Sequence, residues 1–122
     1  VQRSGLDLEQ GHDADQHAIV AEIRVDGDPV LIGVARLESS ADPEWAEFAV
    51  LIGDPWQGRG LAELLTATCL QIAGSIGLRR VVAETTSDNH RMLAILHRHG
   101  FTVEHGSQAD VVGTLHLDGR GG

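Results

Sequence analysis

The 122-residue chain contains no lysine, no tyrosine, a single cysteine and three prolines. One cysteine cannot close an internal disulfide, and no secretory leader is visible, so a cytoplasmic location is expected. No apolar run approaches the roughly 20 residues of a membrane helix, so no membrane partner is expected either. Nine basic residues stand against 18 acidic ones, a formal net charge of −9. A general nucleic-acid binder needs clustered cations for phosphate contacts, so nucleic acid is excluded as the expected partner. A surplus of carboxylates suits a cationic partner such as an amine, and equally an ordinary acidic soluble protein. Without lysine the chain cannot complete the phosphate loop G-x-x-x-x-G-K-[ST]. It opens at Val1 rather than Met, so a processed, trimmed or excised domain is expected, with further domains of a larger parent chain as one source of missing parts.

Hydrophobic residues make up 42% and charged residues 22%, enough for one modest core and too apolar for disorder. Residues 1–16 are polar and without period, and are expected as an N-terminal arm ahead of a single domain over 17–122. "HAIVAEIRV" and "PVLIGVARL" alternate as two strands joined across "DGD", a hairpin signal. "WAEFAVLI" (45–52) is a nearly continuous apolar strand, expected at the sheet centre with both faces covered. In "LAELLTATCLQIAGSIG", Leu61, Leu64, Leu65, Cys69, Ile72 and Ile76 fall at helical spacing, closing near Gly77. "RRVVAET" is a short strand, and "SDNHRMLAILHRHG" a second helix with Ser87 or Asp88 as N-cap and Gly100 as its stop. "FTVEH" and "ADVVGTLHL" close as a hairpin. The order β-β-β-α-β-α-β-β predicts an α/β (α+β) domain, a mixed sheet with helices packed on it.

"DPWQGRGLAELL" (54–65) sets Arg59 between two glycines at a helix mouth, where free backbone N–H groups and the positive dipole end favour an anion. A dinucleotide fingerprint beginning at Gly58 and Gly60 fails at its third glycine, which is Glu63. What remains is Q-x-x-G-x-A, from Gln57 through Gly60 to Ala62.

"WQGRGLAELL", a short strand and then "SDNHRMLAILHRHGF" resemble the GNAT superfamily of acyl-CoA-dependent N-acetyltransferases. The first stretch matches that family's pyrophosphate loop [QR]-x-x-G-x-[GA], and the second its later helix, from an asparagine to Gly-Phe. "AEFAVLI", "WQGRGL", "NHRML" and "HGF" are most similar to bacterial protein-lysine acetyltransferases and to acetyltransferase domains fused to acyl-CoA synthetases. The resemblance spans residues 17–117. It implies a mostly antiparallel sheet splayed between the strands at 46–52 and 80–85, with the pantetheine arm of acetyl-CoA along Val50, Leu51 and Ile52. It also implies that Gln57, Gly58, Arg59, Gly60, Leu61 and Ala62 surround the pyrophosphate and that Asn89 lies near the pantetheine. Two departures stand out. Leu96 occupies the position where many members carry a tyrosine as acid for the leaving thiolate. The opening strand and two helices that often shape the acceptor site have no counterpart in residues 1–16, so the N-terminal part is expected to be shortened.

Acetyl transfer to an amine needs a base, donors for the developing oxyanion and a tolerated thiolate. Glu47 is the best base, in an apolar strand where desolvation would raise its pKa; related acetyltransferases commonly use a glutamate there. The alternative is a solvated glutamate near a strand's beginning, and Glu84 is the second choice. His97 and His99, two apart on a helix, make a poor metal pair; His90 and His97 could share a face but lack a third ligand, so no metal is expected. Cys69, on an apolar stripe, is expected in the core. The reading is an enzyme that moves acetyl from acetyl-CoA to a primary amine, a protein lysine, by direct attack in a ternary complex. The alternative is a non-catalytic acyl-CoA-binding regulatory module.

Overall fold

Seven strands and two helices carry the described residues, 6–12, 16–41, 44–106 and 109–117, of the computed structural model. The strands are β1 (Asp7–His12), β2 (Gln16–Val25), β3 (Asp28–Ser39), β4 (Trp45–Ile52), β5 (Arg80–Thr86), β6 (Thr102–His105) and β7 (Asp110–His116). The helices are α1 (Leu61–Ser75) and α2 (His90–Arg98), and a 3₁₀ turn covers Asp54–Trp56. β2 and β3 meet at Asp26 and Gly27, both with positive φ (52° and 87°), as a two-residue hairpin turn of matching twist requires. The strands form one sheet in the order β1-β2-β3-β4-β5-β7-β6, antiparallel throughout except for the parallel pair β4–β5. That parallel pair needs a long connection, which α1 supplies.

Directly paired residues share a face of a sheet. Gly113, Ala83, Phe48 and Leu37 therefore lie in one row, and Ala35 and Gly33 follow along β3. Both helices pack on this face. A Cβ on Gly113 would stand 3.1 Å from Leu96 of α2, and one on Gly33 would stand 3.2 Å from Leu61 of α1. Ile19, Ala21, Ala46, Val81 and Val111 complete the core with Leu65, Cys69 and Ala73.

Four expectations are corrected here. β4 is central, yet one of its faces is open: Glu47, Ala49 and Leu51 are exposed, Leu51 by 71%. Its apolar run reflects packing against α1 on the other face. Residues 7–12 of the expected arm form β1, which pairs along β2 from Asp7–Glu22 to His12–His17; backbone pairing does not need apolar period. Gln16, the arm's last residue, opens β2, and residues 1–5 and 13–15 lie outside the described residues. On α1, Ile76 is half exposed at the C-cap, while Ala73 and Thr66 take buried places. The N-cap of α2 is Asn89, whose side chain accepts from the Met92 amide at 3.1 Å. Asp88 instead accepts from the Thr86 hydroxyl at 2.6 Å.

Candidate functional site

β4 and β5 pair from Trp45–Arg80 to Phe48–Ala83 and then part. Each strand runs on, to Ile52 and to Thr86, so beyond Phe48 the β5-facing side of β4 has no partner strand among the described residues. Backbone polar groups left this way want a hydrogen-bonding guest or water. The split opens a cleft of about 600 Å³. One wall is Val50, Leu51 and Ile52, and the other is the first turns of α2, including Asn89, His90, Arg91 and Met92. Its floor is the turn before α1, with Trp56, Gln57, Gly58 and Gly60, and Ala62 in the first turn of that helix.

That floor is pinned from several sides. The Gly53 amide donates to the Ile32 carbonyl at 2.9 Å, and the Trp56 amide to the Gly53 carbonyl at 2.9 Å. Gln57 uses both ends of its side-chain amide. Its Nε2 donates to the Ile52 carbonyl and to Asp54 Oδ1, each at 3.3 Å. Its Oε1 accepts from Arg91 Nη1 at 3.1 Å. A glutamate here would lose the donor half of this link.

Gly58 and Gly60 hold φ of +77° and +82°, a region that side chains rarely enter. Gly60 is the N-cap of α1 and offers no capping side chain. The first intrahelical bond there runs from the Leu64 amide to the Gly60 carbonyl, 3.1 Å, leaving the amides of Leu61, Ala62 and Glu63 for an outside acceptor. A Cβ on Gly60 would meet nothing within 4 Å, so the backbone is open to close approach. A phosphate group fits this mouth. Glu63, the residue at which the dinucleotide fingerprint fails, is taken up by its neighbours. Its carboxylate pairs with Arg98 and lies 3.6 Å from His99 Nε2.

The GNAT acetyltransferase domain model matches residues 4–102. The chain belongs to the GNAT acetyltransferase family. Over 72 residues, 59% of this chain and 22% of that protein, it is 31% identical to Acetyltransferase Pat of Mycolicibacterium smegmatis; it thus spans about a fifth of that relative's length. The GNAT domain of Streptomyces lividans PAT superposes with a TM-score of 0.72 at 26% identity, over 88% of this chain and 64% of that one. Salmonella typhimurium yncA, solved with its cofactor acetyl-CoA, superposes at a TM-score of 0.73 and 23% identity, over 88% and 68% of the two chains.

Within this GNAT domain the structure gathers Val50, Leu51, Ile52, Gln57, Gly58, Gly60, Ala62 and Asn89 on one cleft. Two side chains go elsewhere. Leu61 is buried in the core, and Arg59 lies over the Trp56 ring at 5.2 Å. Arg59 and Leu61 line a second cavity of about 350 Å³ with Leu6, Ile23, Ile32 and Leu64. Glu47 is outside the cleft lining. It stands one residue before the split, opposite Glu38 and Val82, exposed on the face that no helix covers among the described residues. The burial expected from its apolar strand is not found, because the flanking Ala46 and Phe48 turn to the other face. Glu84 is likewise exposed on β5.

Leu96, in the position of the absent tyrosine, is fully buried against the sheet. Cys69 is in the core as expected, and burial pushes its thiol up to about 12, which removes it as a nucleophile. Sequence reasoning missed Arg91, Met92 and Trp56 as cleft residues. Arg91 had a signal: it lies two residues after Asn89, the residue the motif placed in the site.

Proposed function

We propose that this domain moves an acetyl group from acetyl-CoA to a primary amine, a protein lysine, by direct attack in a ternary complex. The observation that carries the reading is the parting of β4 from β5 straight onto an uncapped helix mouth. An extended amide-bearing arm can add to the unpaired side of residues 50–52, while the amides opening α1 receive the pyrophosphate at its end. Acetyl-CoA supplies the activated thioester. The chain's residues orient that thioester, exclude competing contacts and handle protons.

The acceptor side is supported by charge. Glu38 and Glu47 face one another across β3 and β4 on the open sheet face, where a cationic ammonium is attracted before it reacts. Glu47 is the proposed base, placed beside the split rather than within it. Amides of residues 50–52 are the proposed donors to the thioester oxygen. A lysine acceptor rests on the resemblance of "AEFAVLI", "WQGRGL", "NHRML" and "HGF" to protein-lysine acetyltransferases, together with the net charge of −9. A cytoplasmic location and further domains in a parent chain belong to the same proposal.

A second reading, a non-catalytic acyl-CoA-binding module, is favoured by one observation: the tyrosine position is a buried leucine. The deciding experiment incubates the protein with acetyl-CoA and a panel of proteins and small amines and follows free thiol. Because the chain has no lysine, acetyl-lysine formed in the mixture reports the acceptor. Turnover with an acceptor supports the enzyme; tight binding without turnover across the panel supports the module.

A further inference from the structure

Gln57 and Arg91 are 34 residues apart in sequence and meet at the cleft floor. Arg91 donates one N–H to Gln57 Oε1 at 3.1 Å. Its guanidinium also lies over Gly58, with Nη2 3.5 Å from where a Cβ on that glycine would stand. Building on the acyl-CoA reading above, we infer that Arg91 is the side chain that receives the cofactor's phosphates, and that Gln57 positions it.

The other cations of this region are committed. Arg98 is paired with Glu63, and Arg59 is turned onto Trp56 and the second cavity. Among the described residues Arg91 has no carboxylate partner. Its one bond is to a neutral amide, which leaves most of its five donors for a ligand. A phosphate opposes the guanidinium with full negative charge and can take two of its N–H groups at once, where the amide oxygen offers only a dipole, so the exchange favours the ligand. The local helix makes the same case. The first turn of α2 holds His90 and Arg91 and no acidic residue, the reverse of what the dipole of a helix start favours. Asn89 already caps the Met92 amide, so an anion bound there answers the guanidinium and supplies the negative charge that this turn lacks. Gln57, anchored to Ile52 and Asp54, keeps the guanidinium over Gly58 instead of letting it follow solvent.

The test is calorimetric titration of CoA into the wild type, Arg91→Gln, Arg91→Lys and Arg59→Gln at low and high KCl, with melting curves for each. Arg91→Gln should weaken CoA by about 10–100-fold at low salt and flatten the salt dependence, since a screened charge pair has been removed. Arg91→Lys should regain part of the affinity and most of the salt dependence, which a merely structural role would not do. Arg59→Gln should lose less than Arg91→Gln. The inference is overturned if Arg91→Gln stays within about threefold of wild type, if its loss is equal at both salts and unrelieved by lysine, or if Arg59→Gln loses more. A wild-type chain that binds no CoA overturns the acyl-CoA reading itself, and this inference with it.

Discussion

In the proposed reaction Glu47 is the base, and the acid end is tested at Leu96 and the three histidines of the second helix region. Glu47→Gln keeps the shape of the side chain and removes its capacity to accept a proton. Turnover should fall by about 10²–10⁴-fold with little change in acetyl-CoA affinity. Steady-state kinetics beside calorimetry check this, and a full-rate Glu47→Gln with a collapsed Glu84→Gln would move the base to β5. At the acid end, buried Leu96 has no proton to give and the chain has no tyrosine. A free thiol has a pKa of about 8.5, so its thiolate leaves tolerably near neutrality, with water or the newly formed ammonium supplying the proton. His90→Gln, His97→Gln and His99→Gln should therefore each retain turnover within about 100-fold at saturating acetyl-CoA. A larger loss in one variant, with folding and cofactor affinity intact, identifies that histidine as the acid.

At the scale of elements, the site is made where secondary structures begin and end. Gly60 caps α1 with a left-handed backbone and leaves the first amides open. Gly60→Val should cost about 1–3 kcal/mol in backbone strain and set a branched side chain in the approach to those amides. The expected result is a folded protein with greatly reduced acetyl-CoA affinity by calorimetry; unchanged affinity would remove the loop from the site. α2 is short, nine residues, so its cap matters more than in a long helix. Asn89→Ala removes the bond to the Met92 amide and should lower stability by about 1 kcal/mol. Urea unfolding should show a lower midpoint at unchanged slope, with Asn89→Asp close to wild type.

For the whole molecule, composition makes one titration unusually clean. The chain has no lysine and no tyrosine, so between about pH 9 and 12 the Cys69 thiol is its single titrating side chain. The unfolded chain loses that proton near 9.0, and the folded chain holds it to about 12. The unfolded state therefore binds fewer protons over this window, and stability falls as pH rises through it. Cys69→Ala should flatten this alkaline slope, at the cost of a small cavity. Unfolding midpoints measured from pH 8 to 11.5 for both proteins check it; parallel curves would place the loss elsewhere.

Much of this was legible in the chain. Period-2 alternation located the β2–β3 hairpin, a continuous apolar run gave the 45–52 strand to its ends, and Q-x-x-G-x-A marked the glycine turn before α1, because period and left-handed turns are local properties of backbone and side-chain sterics. The same locality misled at Glu47, since an apolar run does not say whether one sheet face or two will be covered. It misled at Arg59, since a side chain on a turn can leave in either direction and only Trp56 settles which. The pairing of Asp7–His12 with the next strand was equally hidden, because an edge strand is held by backbone bonds that polar residues make as well as apolar ones. The sequence alone determined the elements other than β1, the Leu61, Leu65 and Cys69 stripe of α1 and the glycine turn. Tertiary structure decided where β4 leaves β5, that Glu63 is neutralised by Arg98, and that Arg91 reaches Gln57 across 34 residues. Those are meetings of distant segments, fixed by how two helices pack on one sheet face, and no local pattern encodes them.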